Sequence, residues 1–209
     1  MSTLIITALL SSAFAGTTRA EAHASASELT QGYRDIQDDT ADLRSLEAII
    51  SNWQTASHRG AHGAEMTADR ALESWIRREL AESQAELSRA RSEVKASKNE
   101  LARETAQAQR SYGRHASHEY AQVRDDKRDL QDDRRDLSTL EAQLSSMQAI
   151  AKQLNAMQPA FEHGRASARD YATKRNLLDR LRSLSQREIS LTRAELSEDL
   201  AEQRESRWD

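Results

Sequence analysis

Apolar residues recur every seventh position along this 209-residue chain, and that spacing limits the possible folds more than any other feature. In one stretch the repeating positions are Leu80, Leu87, Val94, Leu101 and Ala108. Residues seven apart lie on one face of an α-helix, so each such stretch would bury a narrow stripe against a partner helix. Only one proline and six glycines interrupt the pattern. The sequence therefore predicts an all-α protein of long antiparallel coiled-coil helices.

Glycine and proline positions divide the chain into four predicted helices. Gly60 and Gly63 would separate the first two helices, Gly113 the second and third, and Pro159 with Gly164 would end the third. The break at Gly113 is weak, so the second and third helices could also be continuous. We expect helices at about residues 25–57, 64–109, 117–157 and 166–207.

Part of the chain is duplicated. Residues 35–54 align without gaps on residues 129–148, with eleven of 20 positions identical, and residues 78–88 align on residues 187–197 with six of 11 identical. The repeated unit is therefore a helical hairpin. We divide the chain into repeat 1, residues 23–112, and repeat 2, residues 113–209. The two hairpins would pack as an up-down-up-down four-helix bundle; the alternative is an elongated rod.

Residues 1–22 are predicted to be a signal peptide. A short apolar run, Leu4 to Leu10, precedes the small-residue sites Ala13-Phe14-Ala15 and Ala20-Glu21-Ala22, although no basic residue precedes the run. A frayed helix or a membrane anchor is the alternative, but the run is too short to span a bilayer. We therefore expect a periplasmic or secreted protein with no integral membrane segment after signal removal.

Two sets of aspartates are the main candidate site. Within each set the spacing is i, i+3, i+4 and i+7, which places four carboxylates on one helical face. Carboxylate oxygens are the ligands that Ca²⁺ and Mg²⁺ prefer. An ion-pair lattice with neighbouring Arg and Lys side chains is the competing explanation. The eight candidate metal ligands are Asp35, Asp38, Asp39, Asp42, Asp129, Asp132, Asp133 and Asp136.

Two of these aspartates interrupt the apolar register of their own helices. Asp39 falls between Ile36 and Leu43, and Asp133 falls at the same place in the second copy. A buried carboxylate needs a partner because burying it alone is costly. We expect each of these two aspartates to meet either a base from another helix or a cation.

Composition and motifs argue against catalysis and nucleic-acid binding. The 30 basic and 34 acidic residues are interleaved, without a basic stripe, and cysteine is absent. No phosphate loop or nucleophile motif occurs. We predict a non-catalytic scaffold or interaction protein of the cell envelope, with a protein partner or homo-oligomer and no cofactor beyond a possible divalent cation. The alternatives are a divalent-cation-binding protein and a periplasmic holding chaperone.

Overall fold

Four α-helices make up the part of the chain that the computed structural model describes, residues 18–110 and 114–205. They are α1 (Thr18–His58), α2 (His62–Ala108), α3 (Arg114–Glu162) and α4 (Ala168–Glu205), and no strand occurs in these residues. The prediction of an all-α four-helix protein is confirmed. Most of the predicted signal peptide, residues 1–17, lies outside the described residues, and so does the proposed break at Gly113.

Two glycines close α1 and α3 in the same way. Gly60 and Gly164 adopt φ angles of 62° and 61°, which side chains other than glycine rarely tolerate. After Gly60, the Ala61 N–H donates to the Ala56 carbonyl at 2.9 Å; after Gly164, the Arg165 N–H donates to the Ala160 carbonyl at 2.8 Å. These bonds define Schellman motifs, which satisfy carbonyls left free at a helix end.

Pro159 does not end α3, and the expectation that it would was wrong. The helix passes through Pro159 and ends at Glu162. A proline near the end of a helix removes a single backbone hydrogen bond and leaves the following turn possible. Phe161 in that turn is buried in the core, which favours the extra turn, and the Pro159 carbonyl accepts a bond from the His163 N–H at 3.2 Å.

The described residues form two compact units, which we treat separately. Unit 1 contains residues 18–82 and 145–205, and unit 2 contains residues 83–110 and 114–144. Segments of all four helices contribute to unit 1, whereas unit 2 contains segments of α2 and α3 only. The division into hairpin repeats at residue 112 stays a prediction from the sequence.

Unit 1 holds the main hydrophobic core. Leu46, Ile150 and Leu181 are 0% exposed, and Trp53 and Trp75 are 2% exposed. Two contacts give the direction of α4 relative to α1: Thr192 bonds to Asp39, and Leu196 packs against Gly32. From the first contact to the second, the residue number increases along α4 and decreases along α1. These two helices therefore run in opposite directions. The other core members are Ile50, Ala68, Leu72, Ile76, Met147, Ala151, Leu154, Phe161, Leu177 and Leu178.

Unit 2 is a two-helix segment with a thinner apolar seam. Polar contacts that cross it include Arg91 to Glu141 at 2.9 Å and Ser97 to Asp133 at 2.6 Å. Its buried apolar residues follow the predicted heptad register and are Leu87, Ala90, Ala108, Leu130, Leu140 and Leu144.

Among the described residues, no helix combines the length and the apolar character that a bilayer-crossing segment needs.

Candidate functional site

The eight predicted aspartates divide evenly between the two units. The first set lies on α1 in unit 1, where Asp35 and Asp39 are buried and Asp38 and Asp42 are half-buried. The second set lies on α3 in unit 2, where its members are exposed or half-buried. The two sets therefore differ in burial although their sequences match.

Asp39 is buried at the α1–α4 contact of unit 1. Its Oδ2 atom lies 3.3 Å from the Thr192 hydroxyl, which also lies 3.2 Å from the Glu188 carbonyl oxygen. Burial raises the pKa of Asp39 to about 7, the Thr192 hydrogen bond partly opposes that rise, and the Asp35, Asp42 and Asp38 carboxylates add to it. Asp39 is therefore half-protonated close to neutral pH.

The corresponding aspartate of the second copy also meets a hydroxyl. Asp133 accepts a hydrogen bond from Ser97 on α2 at 2.6 Å. The sequence led us to expect a base or a cation at both seam aspartates; the structure places the Thr192 and Ser97 hydroxyls beside them. The position of Ser97 in the heptad pattern of α2 was the available sequence signal for this contact.

Three carboxylates of unit 1 form an acidic triad of Asp42 on α1 and Glu79 and Glu82 on α2. One ligand-type oxygen from each lies within 4.8 Å of the others, and all three residues are half-buried. Arg78 binds Asp42 at 2.6 Å and Glu79 at 3.1 Å. The triad contains one predicted candidate, Asp42, and two glutamates that the sequence reasoning missed.

Repulsion and burial make the acidic triad a proton-binding cluster. Burial, and next the charge of Asp42, raise the pKa of Glu79 to about 7, although Arg78 opposes the rise. Burial and Asp42 also raise the pKa of Glu82. Three close carboxylates can share protons, or they can hold a hard divalent cation if it displaces those protons.

Ion pairing accounts for part of the second set. Asp132 pairs with Arg135 at 2.5 Å, and Asp129 is exposed. Asp136 is half-buried. In the part of the chain that the structure describes, the acidic triad is the group of carboxylates close enough to share an ion, and none of the second set belongs to it. Cation binding by the second set stays a prediction.

A buried cation in an aromatic cage is the most elaborate polar site of unit 1. The Lys174 ammonium group lies 4.1 Å from the Phe161 ring centroid and 5.0 Å from the Trp53 ring centroid. Tyr171 completes the cage, since it stacks on Trp53 at 6.1 Å and meets Phe161 edge-on at 5.0 Å. Lys174 itself is 5% exposed. Aromatic faces attract such a cation most strongly when water is excluded.

Two acids of α2 complete this cage. Asp69 accepts a hydrogen bond from Lys174 at 2.5 Å, and the buried Glu65 accepts one from the Tyr171 hydroxyl at 3.2 Å. Burial lowers the pKa of Lys174, while Asp69 opposes that change. The cage therefore joins all four helices around one ion pair.

No family model matches the chain, and neither the curated proteins nor the solved structures include a significant match. The class of protein is therefore defined by its own architecture: an all-α four-helix protein whose first unit contains a caged lysine and an acidic triad.

Proposed function

We propose that this chain is an exported, non-catalytic helical scaffold of the cell envelope that binds protein partners through its outer helical faces. The observation that carries the proposal is the closed polar centre of unit 1. The Lys174 amine there lies against two aromatic rings and is paired with an aspartate. A catalytic amine would need access for a substrate, whereas this amine holds four helices together.

The outer faces offer contact residues that the fold itself does not use. Tyr33 is 53% exposed, Tyr120 is 50% exposed and Leu191 is 38% exposed. Large exposed side chains of this kind are common at protein interfaces, where a ring or an aliphatic group enters a partner's pocket. A long helix presents such residues along a continuous surface.

Chemical crosslinking in intact cells that make the protein tests this proposal. We expect a defined crosslinked species, either a homo-oligomer or a complex with one or a few proteins. A chain that is recovered only as a monomer would overturn the proposal. A ladder of many unrelated proteins that grows under heat stress would point instead to the holding-chaperone alternative.

A second candidate function is divalent-cation binding, and the acidic triad is the observation that favours it. Calorimetric titration with Ca²⁺, Mg²⁺ and Zn²⁺ should be done at pH 8, where fewer protons compete for the carboxylates. Binding at the triad requires that Glu82→Gln abolish the heat signal and that Asp132→Asn, which changes an exposed aspartate of unit 2, leave it intact. An absent signal, or one that Glu82→Gln leaves unchanged, excludes this site.

A further inference from the structure

A groove between α3 and α4 of unit 1 combines an apolar floor with a basic rim. Its volume is about 290 Å³. The floor contains the buried Ile150 and the half-buried Leu184, and Arg180 and Arg187 are exposed at the rim. The remaining lining residues are Ser146 and Ser183.

The two rim arginines lack an acidic partner. Arg180 and Arg187 are seven positions apart, which places them on one face of α4. Among the residues that the structure describes, no carboxylate pairs with either of them, whereas their neighbour Arg182 pairs with Asp179 at 3.0 Å. The rim therefore presents two positive charges to whatever enters the groove.

The acidic triad is the complementary surface on the same unit. Asp42, Glu79 and Glu82 place three acidic side chains around the Arg78 guanidinium, and the cluster gains negative charge as pH rises through the Glu79 pKa of about 7. Helices α1 and α2 form the triad and helices α3 and α4 form the groove, so the two surfaces share no helix. One surface is acidic, and the other presents the positive charges of Arg180 and Arg187 over an apolar floor.

We propose that the α3–α4 groove is the docking site for a second copy of this chain, which places its acidic triad against Arg180 and Arg187. The proposal rests on the function proposed above and names the partner. Because the two surfaces differ, the contact is heterologous, and a bound pair of copies still presents one free groove and one free triad. Association of this kind builds open chains of copies, which suits a scaffold.

The interface is small and mainly electrostatic, so salt should control it. Charges at an exposed contact are screened beyond about 30 Å at 0.01 M salt and beyond about 3 Å at 1 M salt. Small polar interfaces are usually transient. We expect association at high protein concentration and low salt, and dissociation at high salt.

Two complementary variants of the full chain make the test specific. The groove variant carries Arg180→Glu and Arg187→Glu and keeps its triad; the triad variant carries Glu82→Arg and keeps its groove. A control variant carries Arg175→Glu and Arg193→Glu, which make the same charge change at exposed positions of α4 outside the groove. Circular dichroism shows whether each variant retains its helices.

Sedimentation equilibrium then measures the weight-average mass against the 23.5 kDa chain. The wild type and the control variant should gain mass with concentration at low salt, and each of the two test variants alone should stay monomeric. An equimolar mixture of the two should reach twice the monomer mass and stop there, since each partner retains one of the two surfaces.

Three results would overturn the inference: a wild type that stays monomeric at low salt, a groove variant that associates like the wild type, or a control variant that loses association equally. These results leave the scaffold function intact if crosslinking in cells captures a different, defined protein. If the wild type does not self-associate and crosslinking in cells also captures no other protein, the proposed function is overturned as well.

Discussion

The ammonium group of Lys174 lies 4.1 Å from the centroid of the Phe161 ring, and both side chains are buried in unit 1. A cation in a protein interior loses its hydration, which is costly unless other groups replace the water. Here aromatic faces and the Asp69 carboxylate replace it. Because the cage draws on all four helices, it fixes which helix segments meet at this level of unit 1.

Removing only the charge of Lys174 should destabilise the protein strongly. Lys174→Met keeps the length of the side chain but leaves Asp69 mostly buried without its cation. Breaking a buried ion pair from one side costs about 3–5 kcal/mol. We expect a loss of that order in the free energy of unfolding, measured by urea titration with tryptophan fluorescence, because Trp53 and Trp75 both lie in the core of unit 1.

The matched variant replaces both charges. Lys174→Met combined with Asp69→Leu should recover most of the lost stability, since replacing a buried ion pair by well-packed apolar residues is often neutral or stabilising by about 1–4 kcal/mol. If Lys174→Met alone unfolds at the same urea concentration as the wild type, the caged ion pair does not hold the helices together.

Stability should fall as pH rises from about 4 to about 7 because of Asp39. Folding raises the pKa of this carboxyl from 3.8 to about 7, so the folded chain binds the proton more tightly than the unfolded chain. The resulting stabilisation is complete below the unfolded pKa and is lost as pH rises through the folded one. Asp39 faces three carboxyl groups of its own helix, Asp35, Asp38 and Asp42, and the Thr192 hydroxyl of α4. Around Asp42 lie three charged side chains of α2, Arg78, Glu79 and Glu82.

Asp39→Asn isolates this contribution. The variant should be more stable than the wild type at pH 8 and should lose that advantage at pH 5, with a change of up to about 1.4 kcal/mol for each unit of pKa shift. Thermal or urea unfolding at several pH values measures it. Asp132→Asn serves as the control at an exposed position of unit 2. If the free energy of unfolding changes with pH in the same way for Asp39→Asn and the wild type, Asp39 does not hold a raised pKa.

The two seam hydroxyls should differ in importance. Thr192→Val removes the donor to the buried Asp39 and should cost about 1–3 kcal/mol at pH 8, the usual cost of an unsatisfied buried group. Its effect should shrink at pH 5, where Asp39 is protonated. Ser97→Ala removes the donor to the half-buried Asp133, which water can still reach, and should cost less than about 1 kcal/mol. Equal losses at both positions would contradict the difference in burial.

Gly60 and Gly63 provide a paired test of the α1–α2 connection. Gly60→Ala places a side chain at a φ of 62° and should destabilise the protein by about 1 kcal/mol or more. Gly63 lies in the first turn of α2, and an added Cβ would meet no atom within 4 Å. Gly63→Ala should therefore be neutral or stabilising by up to about 1 kcal/mol. Thermal melting of both variants measures the difference, and a destabilising Gly63→Ala would be contrary to this account.

The helices could be predicted from the sequence because their signals are local. Heptad spacing and the glycines set the helix bounds, and the register of Asp39 between apolar neighbours predicted its burial. The start of α1 was placed about seven residues too late, and the end of α3 was placed about five residues too early because the packing of Phe161 outweighs the effect of Pro159. Local patterns of this kind depend on residues within a few turns of one another.

The candidate sites could not be predicted because their residues are distant in sequence. Lys174 and Asp69 are 105 positions apart, and Asp42 meets Arg78 across 36 positions. Neither pairing leaves a periodic signal, and which lysine enters the core depends on how four helices pack. The aspartate repeat drew attention to α1, but the glutamates that complete the acidic triad are contributed by α2.

Site-specific photo-crosslinking in intact cells tests the central claim most directly. A photo-reactive residue placed in turn at exposed positions of α1 and α4, including Tyr33 and Leu191, reports which faces meet another protein. We predict capture of a defined partner, or of a second copy, from a contiguous set of positions on an outer face. Absence of capture at every exposed position, in cells that contain the folded protein, would contradict a scaffold that acts through these faces.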